Sequence, residues 1–420
     1  HPLRTPCQAD GHALIRRSNA APFDHVLPLC PPAASAPGKT PHPQHVLDSP
    51  APKPLIPMQI QLLIPGLLWP TATLLGPASG LALDGLATLL GRGTREVREF
   101  EPYDRQLARL FGLEDAHLPL ATLRRLGEAD AAAAQPGSHW LCADPVNLAF
   151  AREHMLLHPF ADDALGVDEA DTLIAALNEL FTDLGHFEAC TPTRWYLRLK
   201  QPTEVTLYAL DDVIGRPIKH FLPEGKDARL WQRTMNEAQI VLHNHAASQA
   251  REAAGKRPVN SLWLWGAGTL TQNPRAPAQA VQATDPLSLG MARAAGVPTR
   301  APERAHALRQ STLVVLDSLL KPAQQLDLES WRDALAALER DWFAPLSEAI
   351  KGGQLQALQL TAPSDRGTLH VKLGSVERWK FWRKPYAFDA LLKSIAPAAH
   401  TAPGAAPPTD SPRSHSPNQR

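Results

Sequence analysis

Apolar and polar positions change period several times along this chain, and each change marks an element. Ile60-Gln-Leu-Leu-Ile64 is a nearly unbroken apolar run of strand length, stopped by Pro65 and Gly66, the pattern of a strand covered on both faces. Leu81–Leu90 shows helical spacing, and Glu96–Phe100 reads as a short strand. Asp168–Leu184 is expected to be a helix, with acidic residues in its first turn against the positive end of the helix dipole. Trp195–Leu199 and Glu204–Leu207 read as a hairpin turning at Pro202. Ala228–His245 is amphipathic, with Trp231, Met235, Ala238 and Leu242 along one stripe. Ser261–Trp265 follows as a strand, then Leu287–Ala295 as helix, Thr312–Leu316 as strand, Leu328–Ile350 as helix and Leu355–Thr361 as strand. Leu369–Leu373 and Glu377–Lys380 would close an antiparallel edge. This alternation predicts an α/β protein with a largely parallel central sheet and helices on both faces, the sheet including Ile60–Ile64, Trp263–Trp265 and Thr312–Leu316.

The ends differ from the middle. His1–Pro57 and Pro397–Arg420 are rich in proline and small or polar residues and lack an apolar period, so they are expected to be disordered, with Met58 as the native start. Residues 58–396 remain as the α/β domain, with an inserted subdomain at about 140–260. At 420 residues and 44% hydrophobic content, the chain is long enough to bury a large core. No basic stretch leads into an apolar one as in a signal peptide, and Pro65, Pro70 and Pro77 interrupt the most apolar region, so neither secretion nor a membrane span is expected. The four cysteines show no metal-finger spacing and read as reduced thiols of a cytoplasmic protein. A formal net charge of +0 gives non-specific nucleic-acid binding no electrostatic support.

The densest stretch is Arg251-Glu-Ala-Ala-Gly-Lys-Arg-Pro-Val-Asn-Ser-Leu-Trp-Leu-Trp-Gly-Ala-Gly268. In a strand, Trp263 and Trp265 point to one face, and Gly266 and Gly268 permit close backbone approaches. The run is either a buried strand ending in a tight turn or a strand-end loop lining a ligand cleft. Arg194, Arg216, Arg251 and Arg257, with Asn260, are candidates for an anion pocket, because guanidinium groups hold phosphate or carboxylate bidentately; each alone would equally serve a structural ion pair. Glu114, Asp115 and His117 form either a small acid/imidazole cluster or a solvated turn. His243 and His245, two apart on a helix, diverge and make a poor metal pair.

Five segments in order carry a family resemblance: Phe111-Gly-Leu-Glu-Asp-Ala-His-Leu118, Pro136–Asn147, Asp168–Asn178, Leu210–Ile218 with Leu222–Gly225, and Arg251–Gly268. Together they resemble the archaeal-type cofactor-independent phosphoglycerate mutases of the alkaline phosphatase superfamily. Arg194-Trp-Tyr196, Asn236-Glu-Ala-Gln239, the Trp-Leu-Trp-Gly run and Phe381-Trp-Arg383 add a closer similarity to a related bacterial family named as RpfE-type regulatory proteins.

The resemblance implies an alkaline-phosphatase-like fold and, in active members, two divalent metals beside a serine nucleophile. It also shows where this chain departs. The family's first metal-binding aspartate falls near Pro65, its nucleophilic serine on Leu113, and its late Asp-His pair near Ser364-Asp-Arg366, where arginine replaces histidine. Asp317 matches one family aspartate. Losing the nucleophile removes the covalent step. The expectation is a catalytically degenerate regulatory or binding protein without a cofactor or metal site, taking a small phosphorylated or carboxylate ligand, together with a protein partner. The alternative is a Mn- or Mg-dependent mutase or phosphatase with a displaced nucleophile, such as Ser79 or Thr94. Degeneracy fails as an explanation if Asp317 and at least three other Asp, Glu or His side chains converge on one pocket beside a serine or threonine hydroxyl.

Overall fold

The run Ile60-Gln-Leu-Leu lies at the centre of a seven-stranded sheet because both of its faces are covered. Ile60 and Leu62 pack into one hydrophobic cluster and Leu63 into another. The computed structural model describes residues 59–70, 74, 76–114, 117–128, 137–151, 153–374 and 382–395, all within one compact unit, Leu55–Arg420.

The first sheet comprises β1 (Gln59–Leu63), β2 (Thr94–Arg98), β8 (Ala280–Gln282), β9 (Thr299–Arg300), β10 (Thr312–Val315), β11 (Ala357–Ser364) and β12 (Gly367–Leu373). Their order is β2-β12-β11-β1-β10-β8-β9. The five strands from β11 to β9 are parallel, while β12 and β2 add an antiparallel edge. The second sheet is antiparallel throughout: β4 (His154–Pro159), β3 (His139–Ala151), β6 (Arg194–Leu199) and β5 (Gly185–Thr191) in that order, with β7 (Ser261–Trp265) also paired to β3.

Helices fill three layers around these sheets. On one face of the first sheet pack α1 (Asp84–Arg92), α9 (Arg304–Ala307), α10 (Leu320–Gln325), α11 (Leu328–Leu338), α12 (Ala344–Lys351) and α13 (Phe388–Ser394). Its other face shares a cluster with α2 (Tyr103–Leu110), α3 (Leu120–Gly127), α5 (Leu210–Val213), α8 (Pro286–Ala294) and one face of the second sheet, including Trp140, Tyr196, Trp263 and Trp265. The opposite face of the second sheet is covered by α4 (Val167–Leu180), α6 (Ala228–Asn244) and α7 (Ala246–Ala253). Among the described residues no helix is long and apolar enough to cross a membrane.

Several expectations change. The architecture is α/β with a mixed sheet beside an antiparallel one, rather than a largely parallel sheet. Ser261–Trp265 is fully buried, as expected, but belongs to the second sheet. Burial on both faces makes an antiparallel strand as continuously apolar as a parallel one, so the run could not reveal its partner. Glu204–Leu207 is no hairpin strand; β6 pairs with β5, and Thr206 makes only an isolated bridge to Glu224. Leu328–Ile350 is not one regular helix, because a π-helical turn at Glu339–Phe343 separates α11 from α12. From that turn the Glu339 carboxylate reaches the start of α1, accepting N–H bonds from Gly85 (2.6 Å) and Leu86 (3.0 Å). The expected strand Glu377–Lys380 and the two terminal segments lie outside the described residues.

Candidate functional site

The parallel strands β8 and β10 end side by side, so the residues following them enter one cleft. This cleft, about 630 Å³ in volume, lies between the carboxyl ends of those strands and the second sheet. Thr284 and Asp285 follow β8, and Asp317 follows β10. Asp285 is the N-cap of α8: its Oδ1 accepts from the N–H of Ser288 at 2.9 Å, and Pro286 starts the helix behind it. The Tyr103 hydroxyl lies 3.4 Å from Asp285 Oδ2, and Thr284 Oγ1 donates to Asp317 Oδ1 at 3.5 Å. Burial, with Asp317 adding like charge, holds the Asp285 carboxyl above its ordinary range; burial likewise raises Asp317.

The facing wall is built on the second sheet. Asp144, on β3, accepts two bonds from one Arg124 nitrogen (3.0 and 2.8 Å), one from the Trp195 amide (3.3 Å) and one from the Trp265 indole (2.9 Å). Trp265 thus lines the cleft, so the tryptophan run is both a buried strand and a cleft wall. Gly266 has φ +79°, and a Cβ there would lie 2.7 Å from the Ala121 nitrogen, so glycine is required where the strand turns onto α3. Arg194 also lines the cleft; its Nε and Nη2 donate to the Glu128 carboxylate at 2.8 and 3.1 Å.

At one end the cleft is acidic. Asp104 on α2 and Asp211 on α5 line it, and Asp212 follows Asp211 behind the lining; burial pushes Asp104 and Asp212 up to about 6 and about 8, Asp104 adds like charge to Asp212, and Asp211 adds it to both. At the mouth, Lys321 Nζ lies 3.0 Å from Asp162, and Gln324 donates to Asp211 at 3.0 Å. These contacts link α10, at the end of the first sheet, to the segment after β4 and to α5.

Of the residues singled out in the sequence, the structure brings Asp317 and Arg194 to this cleft. Arg216 lies over the rings of Phe100 and Phe221, each at 6.0 Å. Buried Arg251 is paired with Glu169 (3.0 Å) and donates to the carbonyl of Arg257, itself exposed and 3.5 Å from the Pro159 carbonyl. Asn260 bonds both backbone groups of Leu148, at 2.8 and 2.9 Å, and so fastens β7 to β3. His117 and Glu114 are exposed, and Asp115 lies outside the described residues. The anion-pocket candidates therefore do not converge. The cleft residues missed were Tyr103, Asp104, Arg124, Asp144, Asp211 and Asp285. Only Asp285 carried a local signal, an Asp-Pro pair opening a helix just after a strand.

The three departures from the family pattern lie off the cleft. Pro65 and Leu113 are buried. Arg366, in the β11–β12 turn, donates to the carbonyls of Trp69 (3.4 Å), Leu392 (2.7 Å) and Ile395. A two-metal centre needs several hard donors converging on ions roughly 3.5–4 Å apart. Among the described residues no three His, Cys, Asp or Glu side chains gather as a metal would require. Asp285 and Asp317 follow the adjacent strands β8 and β10, Asp104 and Asp211 stand on α2 and α5, and Asp144 is already committed to Arg124. At the coarser scale of the cleft, however, Asp317 does share one cavity with Asp104, Asp211 and Asp285 beside the Thr284 hydroxyl. They line this cavity from several elements, and no three of them gather at one point among the described residues.

No family model matches the chain. A segment of 121 residues is 32% identical to the 2,3-bisphosphoglycerate-independent phosphoglycerate mutase of Methanosarcina mazei, covering 28% of this chain and 30% of that enzyme. A segment of 125 residues is 31% identical to the probable 2,3-bisphosphoglycerate-independent phosphoglycerate mutase of Geobacter sulfurreducens, covering 29% and 31%. Part of this chain is homologous to cofactor-independent phosphoglycerate mutases. The match spans less than a third of the length of these mutases. Among solved structures, the cofactor-independent phosphoglycerate mutase of Thermoplasma acidophilum is similar at a TM-score of 0.39 and 14% identity, over 81% of this chain and 96% of that one. A protein from Pyrococcus horikoshii is similar at 0.46 and 15%, over 80% and 92%.

Proposed function

We propose that this chain is a binding protein of the RpfE-type regulatory kind, derived from cofactor-independent phosphoglycerate mutases, which holds a small ligand in the cleft without two-metal phosphoryl transfer. The observation that supports this is the arrangement of the cleft's donors: Asp144 is held by Arg124, and no three metal-ligating side chains converge among the described residues. The ligand is a small phosphorylated or carboxylate compound whose anionic end meets Arg194, since that guanidinium keeps N–H groups beyond those bonded to Glu128. Regulation would run through ligand occupancy and a protein partner in the cytoplasm. The net charge of +0 gives no support to a route through DNA.

A second reading, a metal-dependent mutase or phosphatase with a rearranged site, is favoured by one observation: Asp104, Asp211, Asp285 and Asp317 share the cleft with the Thr284 hydroxyl. The relatives' names point the same way. One set of measurements on the purified chain separates the two. Titration calorimetry with Mn²⁺ and Mg²⁺ is expected to show no tight binding, 3-phosphoglycerate is expected not to be isomerised, and Arg194→Gln is expected to weaken 3-phosphoglycerate binding. Metal-dependent turnover that disappears in Asp317→Ala would establish the second reading instead.

A further inference from the structure

A second cavity, of about 360 Å³, opens at the far end of the antiparallel sheet, where β3 and β5 begin and β6 ends. Its lining includes His139, His186, Arg198, Lys200, Ser138 and Gln201, and contains no carboxylate. The backbone holds these groups in register. Arg198 is opposite Trp140 on one side and His186 on the other, and in the next row Leu199 is opposite His139 and Gly185. Arg198 and His186 are therefore cross-strand neighbours on one face. Gly185 is required here: a Cβ would lie 2.1 Å from the Arg198 carbonyl oxygen, so only glycine lets β5 approach the end of β6 this closely. The Lys200 N–H donates to the Leu184 carbonyl at 3.0 Å and extends the pairing past the strand end.

The side chains are available to a ligand. Among the described residues, those of His139, His186, Arg198 and Lys200 make no hydrogen bond or ion pair, whereas Arg124, Arg125, Arg194 and Arg251 each face a carboxylate. Arg198, Lys200 and His186 are exposed. Two fixed cations, two imidazoles, an amide and a hydroxyl form a lining rich in donors, with few acceptors. Such a lining suits a compact group dense in anionic oxygen, which guanidinium binds bidentately and ammonium as a point charge. A volume of this size is at the small end of ligand pockets.

We propose that this recess is a binding site, separate from the cleft between the two sheets, for a small polyanion carrying adjacent phosphate groups. A nucleic-acid strand or an anionic membrane would present the same chemistry but needs basic residues continuing beyond the recess, and the chain's net charge is +0.

The test uses the full chain and inorganic pyrophosphate at low salt, followed by titration calorimetry. The expected result is saturable binding that weakens about tenfold or more in Arg198→Gln and further when Lys200→Gln is added, with unchanged thermal melts. Arg198→Lys should retain part of the affinity. Arg194→Gln, in the cleft, should leave pyrophosphate binding unchanged, which keeps this test independent of the function proposed above. Absence of saturable binding up to about 5 mM overturns the proposal. So does binding that survives the double substitution, binding lost with Arg194→Gln, or displacement of pyrophosphate by single-stranded oligonucleotide or phosphatidylglycerol vesicles at lower phosphate concentration than pyrophosphate itself.

Discussion

Asp144 illustrates why a single residue can matter more than its place in the sequence suggests. It sits in a run that otherwise reads as buried strand, yet four donated bonds meet on its carboxylate and join α3, β3, β6 and β7. Removing it leaves the buried Arg124 guanidinium and two N–H groups without acceptors. Asp144→Ala is therefore expected to lower stability by about 3–5 kcal/mol, the range for breaking a buried pair from one side. Urea unfolding measures this, and a loss below about 1 kcal/mol would mean that water or another acceptor replaces the carboxylate. Arg366 makes a milder case. Its three carbonyl acceptors tie the β11–β12 turn to Trp69 and to α13, so Arg366→His should cost stability without creating Mn²⁺ binding. Local sequence revealed Asp317, which follows an apolar strand, and left Arg251 open between an anion pocket and an ion pair. The partner of Arg251, Glu169, is 82 residues away, and no local pattern encodes such a pairing.

At the scale of elements, close contact between helices sets the tolerance to change. Gly85 begins α1 where α12 crosses it, and a Cβ there would lie 2.3 Å from the Ala344 nitrogen. Gly85→Ala must push the two helices apart, at an expected cost of about 1–3 kcal/mol. Gly80 is the control: it has φ +81° but nothing within 4 Å of a built Cβ, so Gly80→Ala should cost only the backbone strain of about 1 kcal/mol. Equal losses in thermal denaturation would show that space between helices is not the limiting factor. Elements with a strong pattern were legible: the apolar runs of β1 and β10 and the helical period of α4 and α6. Their partners were not, because period records which faces are buried and not which strand lies alongside. That is why β7 was expected in the sheet of β1 and lies in the other. It is also why the seventeen-residue expected helix Asp168–Leu184 concealed its end, with α4 stopping at Leu180 and β5 opening at Gly185.

For the whole molecule, the acidic end of the cleft couples stability to pH in a direction opposite to most surface carboxylates. Asp104 and Asp212 hold their protons up to about 6 and about 8, well above the ordinary aspartate value of 3.8. Between 3.8 and those values the folded chain keeps protons that the unfolded chain releases, so their contribution to stability falls as pH rises through that window. His158 and His370 act in the opposite sense: burial holds both below 6.5, so the folded chain resists protonation and loses stability as pH drops below that value. Asp212→Asn should therefore raise the melting temperature at pH 8, with the gain shrinking towards pH 5, where the native carboxyl is already neutral. No gain at pH 8, or a gain confined to pH 5, would show that the carboxylate is ionised and partnered in the fold. The same charge argument reaches the ligand. Carboxylates outnumber cations along the cleft, so an anion bound at Arg194 is repelled by whichever of them are ionised. Its affinity should rise on acidification from pH 8 to 6, and Asp212→Asn should flatten that dependence; calorimetric titration of 3-phosphoglycerate at both pH values, with and without the substitution, provides the check.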